Sequence, residues 1–269
     1  MGFGTCRLPV TLLVLGVTAA GCGSRRIVLP TGPGAPRADF EALFSEATRN
    51  CQAVRTMTAE LALRGRVAGE RIRSARVSAG LTVPEAAYLL APAPFGEPVF
   101  VLAAQSDRGT LLLSRDRLVV ADAPVRAMLD ALVGLDLGPA DLRALLTGCV
   151  VPDPQPREGR EYPGWVRVDL SQGAAAWLRQ VDSRWRVGVG EARGLRVEYG
   201  GYGAGVAATP RQIRVRAMSS SAAEVDLEVA LSQVELNVPL DPATFIVVVP
   251  PGTESITLEE LRERAPLAR

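Results

Sequence analysis

Two spacings of hydrophobic residues alternate along this chain. From Asp39 to Met57 the apolar positions Phe40, Leu43, Phe44, Ala47, Cys51 and Val54 recur at helical intervals, which predicts one amphipathic helix with Asp39 placed to cap its start. At Ala59 the period falls to two. Leu61, Leu63 and Val67 alternate with Glu60, Arg64 and Arg66, and after a turn at Gly69-Glu70 a second alternating set runs from Ala75 to Val83. Further strands are predicted over Ala86 to Leu90, Val99 to Ala104, Thr110 to Ser114 and Arg117 to Ala121, an antiparallel meander. The stretch "APAPFGEP" interrupts it, since prolines in series cannot sit in a central strand.

Helical spacing then returns twice. Val125, Met128, Leu129, Leu132 and Val133 make one stripe; Leu142, Leu145 and Leu146 make the next, with Pro139 in its first turn, Asp141 near its start and Gly148 at its end. Both are apolar over more of their circumference than a surface helix needs. After a proline-rich loop at Pro152 to Pro156, strands resume: Trp165 to Leu170, Ala174 to Leu178, Trp185 to Val189, Leu195 to Tyr199, Ile213 to Ala217, Val225 to Leu236 and Phe245 to Val249. Ile256 to Arg264 reads as a short charged helix that Thr257 can cap. The fold class is therefore α+β, mainly β. About a dozen antiparallel strands must curl or split, a curled sheet leaves a concave apolar face, and the two apolar helices between the strand series are the elements available to cover it.

The amino terminus changes the setting. Arg7 precedes an apolar run from Leu8 to Ala20, long enough for a signal-peptide core and too short to span a bilayer. It ends in Ala19-Ala20-Gly21-Cys22, which resembles a bacterial lipobox, with alanine where leucine is usual three places before the cysteine. Residues 1–21 are thus expected to be a lipoprotein signal peptide and Cys22 the lipidated residue, the alternative being an ordinary secretory leader cut near the alanine pair. Acylation at Cys22 would make membrane lipid the first partner. The following Gly23, in place of aspartate, favours the outer membrane, facing the periplasm. Residues 22–38 are rich in Gly, Pro and Ser and read as anchor and flexible tether; 39–255 form the folded domain and 256–269 the terminal helix and tail. In such an envelope Cys51 and Cys149 either pair or stay as separate buried thiols.

Composition removes most chemistry. The 30 basic residues balance 29 acidic ones, histidine is absent, and every basic residue is arginine. That excludes histidine-dependent catalysis, histidine-ligated metals, a Walker-type phosphate loop and a lysine Schiff base. The interspersed charges give no nucleic-acid footprint. Neither an enzyme, a cofactor nor a metal site is expected. "GGYGAG" at Gly200 to Gly205 has glycine spacing but is followed by alternation, not a helix, and reads as a hairpin loop.

The order of these features resembles the LolA/LolB-type lipoprotein carriers, and within them the outer-membrane receptor branch, over about residues 40 to 255. "MLDALVGLDLGPADLRALLTG" is similar to that branch's paired helices, through Leu129, Leu132, Gly134, Leu137, Pro139, Leu142, Leu145 and Gly148; "LLAPAPFGEPVFVL" and "VELNVPLDPATFIVVVPPG" are similar to its third-to-fourth strand loop and its last strands. The resemblance implies a half-open β-barrel that takes lipoprotein acyl chains or other lipid into an apolar cavity under lid helices, supplied by a periplasmic carrier protein, as a monomer. Leu129, Leu132, Leu142, Leu145 and Leu146 are the cavity or lid candidates, and Phe95, on its stiff proline loop, is the membrane- or cargo-contacting residue. The same fold with a filled interior and no cargo is the competing expectation. Trp165, Trp177 and Trp185 read as strand-packing aromatics.

Overall fold

The computed structural model describes residues 1–2, 27–67, 69–203, 209–218 and 225–264; most of the leader and Cys22 lie outside them. The described chain forms one sheet of fifteen strands. β1 (Ala35–Pro36) precedes helix α1 (Phe40–Gln52). A meander follows: β2 (Thr56–Val67), β3 (Glu70–Thr82), β4 (Ala86–Ala91), β5 (Phe100–Gln105), β6 (Arg108–Leu113) and β7 (Leu118–Pro124). Helices α2 (Val125–Val133) and α3 (Pro139–Thr147) lead to a second meander: β8 (Pro156–Tyr162), β9 (Trp165–Leu170), β10 (Ala175–Val181), β11 (Arg184–Ala192), β12 (Leu195–Gly200), β13 (Gln212–Ala217) and β14 (Val225–Leu236). The chain closes with β15 (Glu254–Ser255) and α4 (Leu258–Arg264).

The two meanders join where β14 pairs antiparallel with β2, so the spatial order runs β1-β8-β9-β10-β11-β12-β13-β14-β2-β3-β4-β5-β6-β7-β15. All pairs are antiparallel except β15 with β7. β1 and β15 are the two ends, and the sheet is curved without closing, a half-open barrel. This order explains the helices. β7 and β8 lie near opposite edges, so the chain between them must cross the sheet, and it does so as α2 and α3 on the apolar face.

Period-two alternation sets which face is which. Leu61, Val77, Leu89, Leu102, Val168, Leu178, Val197, Val215 and Leu227 enter one continuous core with Met128, Leu129 and Leu145 of the helices. The alternate residues carry arginine–carboxylate pairs across the outer face: Arg214 Nη2 lies 2.7 Å from Asp226, and Arg64 Nε donates to Glu228 Oε2 at 2.7 Å. α1 packs close to β8 because Gly159 stands beneath it; a Cβ there would collide with the Phe40 side chain.

Four details depart from the sequence reading. Phe245 to Val249 is not a strand: Pro242–Phe245 forms a single 3-10 turn with Phe245 buried, and the following residues run unpaired outside the sheet. β8 is a strand that the charged sequence "PREGREY" does not announce. Asp39 sits at the start of α1 without capping it, because its carboxylate is taken by Arg37 Nε at 2.5 Å. Residues 27–38 lie along the outer face of the sheet instead of hanging free. Arg196 Nη2 donates to Ile27 O at 2.7 Å, Tyr162 Oη to Gly32 O at 3.1 Å, and β1 pairs with β8. At the other end of the chain, Thr257 and Glu260 form the reciprocal cap of α4, Glu260 N–H donating to Thr257 Oγ1 and Thr257 N–H to Glu260 Oε2.

Candidate functional site

α2 and α3 form a helical hairpin over the concave face. Gly134, left-handed at φ 66°, ends α2, and Pro139 opens α3 at the position where a missing N–H costs nothing. Between this roof and the sheet is a cavity of about 70 Å³. Its floor is Leu61, Leu63, Val77, Leu89, Phe100, Val215, Leu227 and Val229; its roof is Leu129, Leu132, Val133, Leu135, Leu137, Leu142, Leu145 and Leu146. All five leucines singled out from the sequence line it, and every lining residue is apolar. Sites for drug-sized ligands run to roughly 300–1,000 Å³, so the space between sheet and helices is a narrow residue of the barrel interior, not a wide slot. The leucines of the roof interdigitate with the strand side chains and fill most of it.

The roof is held at both ends. At its tip, where α2 turns into α3, Asp141 is 5% exposed. Its Oδ2 accepts the Gly138 N–H at 3.0 Å and a bond from Arg126 of α2, and its Oδ1 lies 3.3 Å from Arg193 Nη2 on the turn between β11 and β12. One carboxylate thus ties both helices to the sheet, and its charge suits the first turn of α3. Neither partner of Asp141 was identified from sequence, since Arg126 and Arg193 carry no periodic signal. At the far end of α3, Cys149 is bonded to Cys51 of α1, S–S 2.07 Å. Arg143 Nη1 also donates to Val54 O at 3.3 Å. α2 is braced from outside by α4, with Arg262 Nη2 2.9 Å from Asp130.

The strand directions put these features at two ends of the sheet. Thr56 of β2 and the C-terminus of α1 lie at the disulfide end. Val67 and Val225 lie at the other, beside Gly134, where a Cβ would meet both valines. Phe95 leaves the sheet toward this second end, on the loop joining β4 to β5, and is 91% exposed.

The tryptophans are elsewhere. Trp177 is buried on the outer face, 5.2 Å from the Tyr162 ring and 5.4 Å from the Arg167 guanidinium; Trp165 faces Arg179 at 5.7 Å. Trp185 is partly buried against the core. Burial pushes the Tyr199 and Tyr202 hydroxyls above the ordinary phenol range, and Tyr202 Oη donates to Val187 O at 2.6 Å. Tyr202 lies within the glycine-rich stretch, whose last two residues fall outside the described residues. Among the described residues no group of three or more His, Cys, Asp or Glu is placed to hold a metal, and no helix is long and apolar enough to cross a membrane.

Neither a family model nor a curated protein matches this chain in sequence. Solved structures do match. A LolA superfamily protein from Nitrosomonas europaea aligns with a TM-score of 0.51 at 13% identity, over 77% of this chain and 97% of that one. The chain shares its fold with that LolA superfamily protein. A DUF1329 family protein from Desulfovibrio piger (TM-score 0.47, 14% identity, 77% and 96% of the two chains) and a putative outer membrane lipoprotein-sorting protein domain from Vibrio parahaemolyticus (0.46, 12%, 76% and 96%) are also similar. Those two add nothing to the assignment.

Proposed function

We propose that this is a lipid-anchored envelope protein that receives an acyl chain of a lipid or lipoprotein between its sheet and its helical hairpin, and that it aids lipoprotein insertion in the outer membrane. The observation that carries this reading is the cavity lining, which offers no polar group to specify a headgroup and suits hydrocarbon alone. About 70 Å³ is room for roughly two groups the size of a water molecule, so uptake requires the α2–α3 hairpin to lift. That exchange is affordable because apolar contacts replace apolar contacts. Each methylene brought out of water contributes about 0.8 kcal/mol, against leucine side chains that lose similar contacts as they withdraw. Several features agree with an envelope location: the lipobox-like leader, the disulfide, and the exposed Phe95 on its proline loop.

The test is the lipid content of the full chain extracted from membranes, read by native mass spectrometry. Acyl species should co-purify, Cys22 should carry diacylglycerol, and Leu142→Trp or Leu145→Trp should expel the cargo while the protein stays folded. Protein free of lipid both as extracted and after incubation with palmitate would sink the carrier reading. The same fold with a filled interior and no cargo is the second reading, favoured by the small volume of the cavity; it predicts that empty result.

A further inference from the structure

The outer face of the β2–β3 hairpin carries more arginine than carboxylate. Arg66 and Arg71 are directly opposite each other in the ladder, and Arg76 is opposite Ala62 on the same face. All three are exposed, and none forms an ion pair with a described residue. Like charges facing each other across a strand pair are destabilising; Arg66 also has Asp226 opposite it on β14, whereas Arg71 and Arg76 have no carboxylate opposite them in the ladder. The nearest carboxylates on β14 form their ion pairs with other arginines: Asp226, although opposite Arg66, with Arg214 and Arg216, and Glu228 with Arg64 and Arg214. Glu60, farther along the face, accepts from Ser78 Oγ at 2.6 Å. Glu70 pairs with Val67 and so falls on the opposite face from Arg71.

Position gives the charge its meaning. The hairpin ends at Val67, whose side chain abuts Gly134 at the tip of the helical roof, and Phe95 projects toward the same end two strands away. The basic side chains stand on the outer face of these strands and the apolar cavity on the concave face behind them, so a surface suited to phosphates and a space suited to hydrocarbon are separated by the thickness of the sheet. We infer that the outer face of the β2–β3 hairpin docks on the phosphates of an anionic lipid bilayer through Arg66, Arg71 and Arg76, with the tip of the α2–α3 hairpin held behind the same strands. The inference rests on the acyl-carrier reading for its purpose. The two fail separately, because absence of cargo would remove the carrier reading and leave a vesicle preference intact.

The experiment uses the full chain with Cys22→Ser, so that no acyl anchor contributes. It measures sedimentation with phosphatidylcholine vesicles and with vesicles also containing phosphatidylglycerol. The unsubstituted face should favour the anionic vesicles by on the order of a hundredfold, the summed effect of three cations at such a surface, and raised salt should abolish that preference. Arg66→Gln, Arg71→Gln and Arg76→Gln together should remove it, while the triple lysine variant retains it, which separates charge from folding. Equal binding to both vesicles, an unchanged preference in the glutamine variant, or tighter binding to poly-glutamate beads than to anionic vesicles would each overturn the assignment.

Discussion

At the scale of residues, the five roof leucines were readable because helical spacing alone tells which side chains share a face, and these had too wide an apolar arc for a solvated helix. The role of Asp141 was not readable. Its aspartate at a helix start has an ordinary explanation, and nothing local reveals that Arg193 will arrive from another strand. The two buried tyrosines carry a pH prediction of their own. Burial raises the pKa of Tyr199, and burial also raises that of Tyr202 against the opposing pull of Arg186 and Arg179. The folded state therefore holds these protons more tightly than the unfolded chain does. Their contribution is intact below the ordinary phenol pKa of about 10 and is lost as pH rises beyond it. Stability should decline from about pH 10 upward, and these hydroxyls should ionise only as the fold is lost, seen as coincident changes in tyrosinate absorbance and circular dichroism. Two tyrosines titrating ahead of unfolding would contradict this. Tyr202→Phe, which deletes the bond to Val187 O, should cost about 1 kcal/mol in chemical denaturation.

At the scale of elements, period-two and period-3.6 patterns located most strands and all four helices, and the misses have physical causes. Gly159 is the one buried residue of β8, and it lies under Phe40 of α1 where a side chain would collide, so the strand shows no apolar alternation. Phe245 to Val249 has strand-forming residues, but the strands nearby already have partners on both sides, so the segment lies outside the sheet with Val248 84% exposed. The roof is where an element-level prediction can be made. Asp141→Asn keeps the side-chain shape and removes the charge that binds Arg126 and Arg193. Breaking a fully buried pair costs roughly 3–5 kcal/mol. Here the two arginines are 38% and 43% exposed and recover solvation, so about 1–2 kcal/mol is expected. The loss should be local: amides of the first turn of α3 should exchange faster in deuterium-exchange mass spectrometry while those of β2 and β14 do not. Unchanged exchange in α3 would mean the carboxylate does not latch the roof.

At the scale of the whole molecule, the decisive relation is that β7 and β8 lie near opposite edges of one sheet. No local pattern encodes that order. It follows from which meander edge meets which, and it forces the α2–α3 crossing to lie over the concave face. The crossing is then fixed unequally at its ends, by a covalent bond next to the C-terminus of α3 and by an ion pair at its tip. This inequality separates two effects that would otherwise be confused. Cys51→Ser with Cys149→Ser releases a link across 98 residues, which by chain entropy costs about 4–5 kcal/mol. At about 2–4 °C per kcal/mol for a domain of this size, Tm should fall by roughly 10–15 °C, and reductant should reproduce the drop in the unsubstituted chain. If the disulfide end is the hinge and the Asp141 end is the part that lifts, uptake of a fluorescent fatty acid should respond in the opposite order. Asp141→Asn should speed uptake with a small change in Tm, and the serine pair should lower Tm with little change in uptake rate below the melting transition. Faster uptake in the serine pair than in Asp141→Asn would place the opening at the disulfide end and reverse the assignment of hinge and latch.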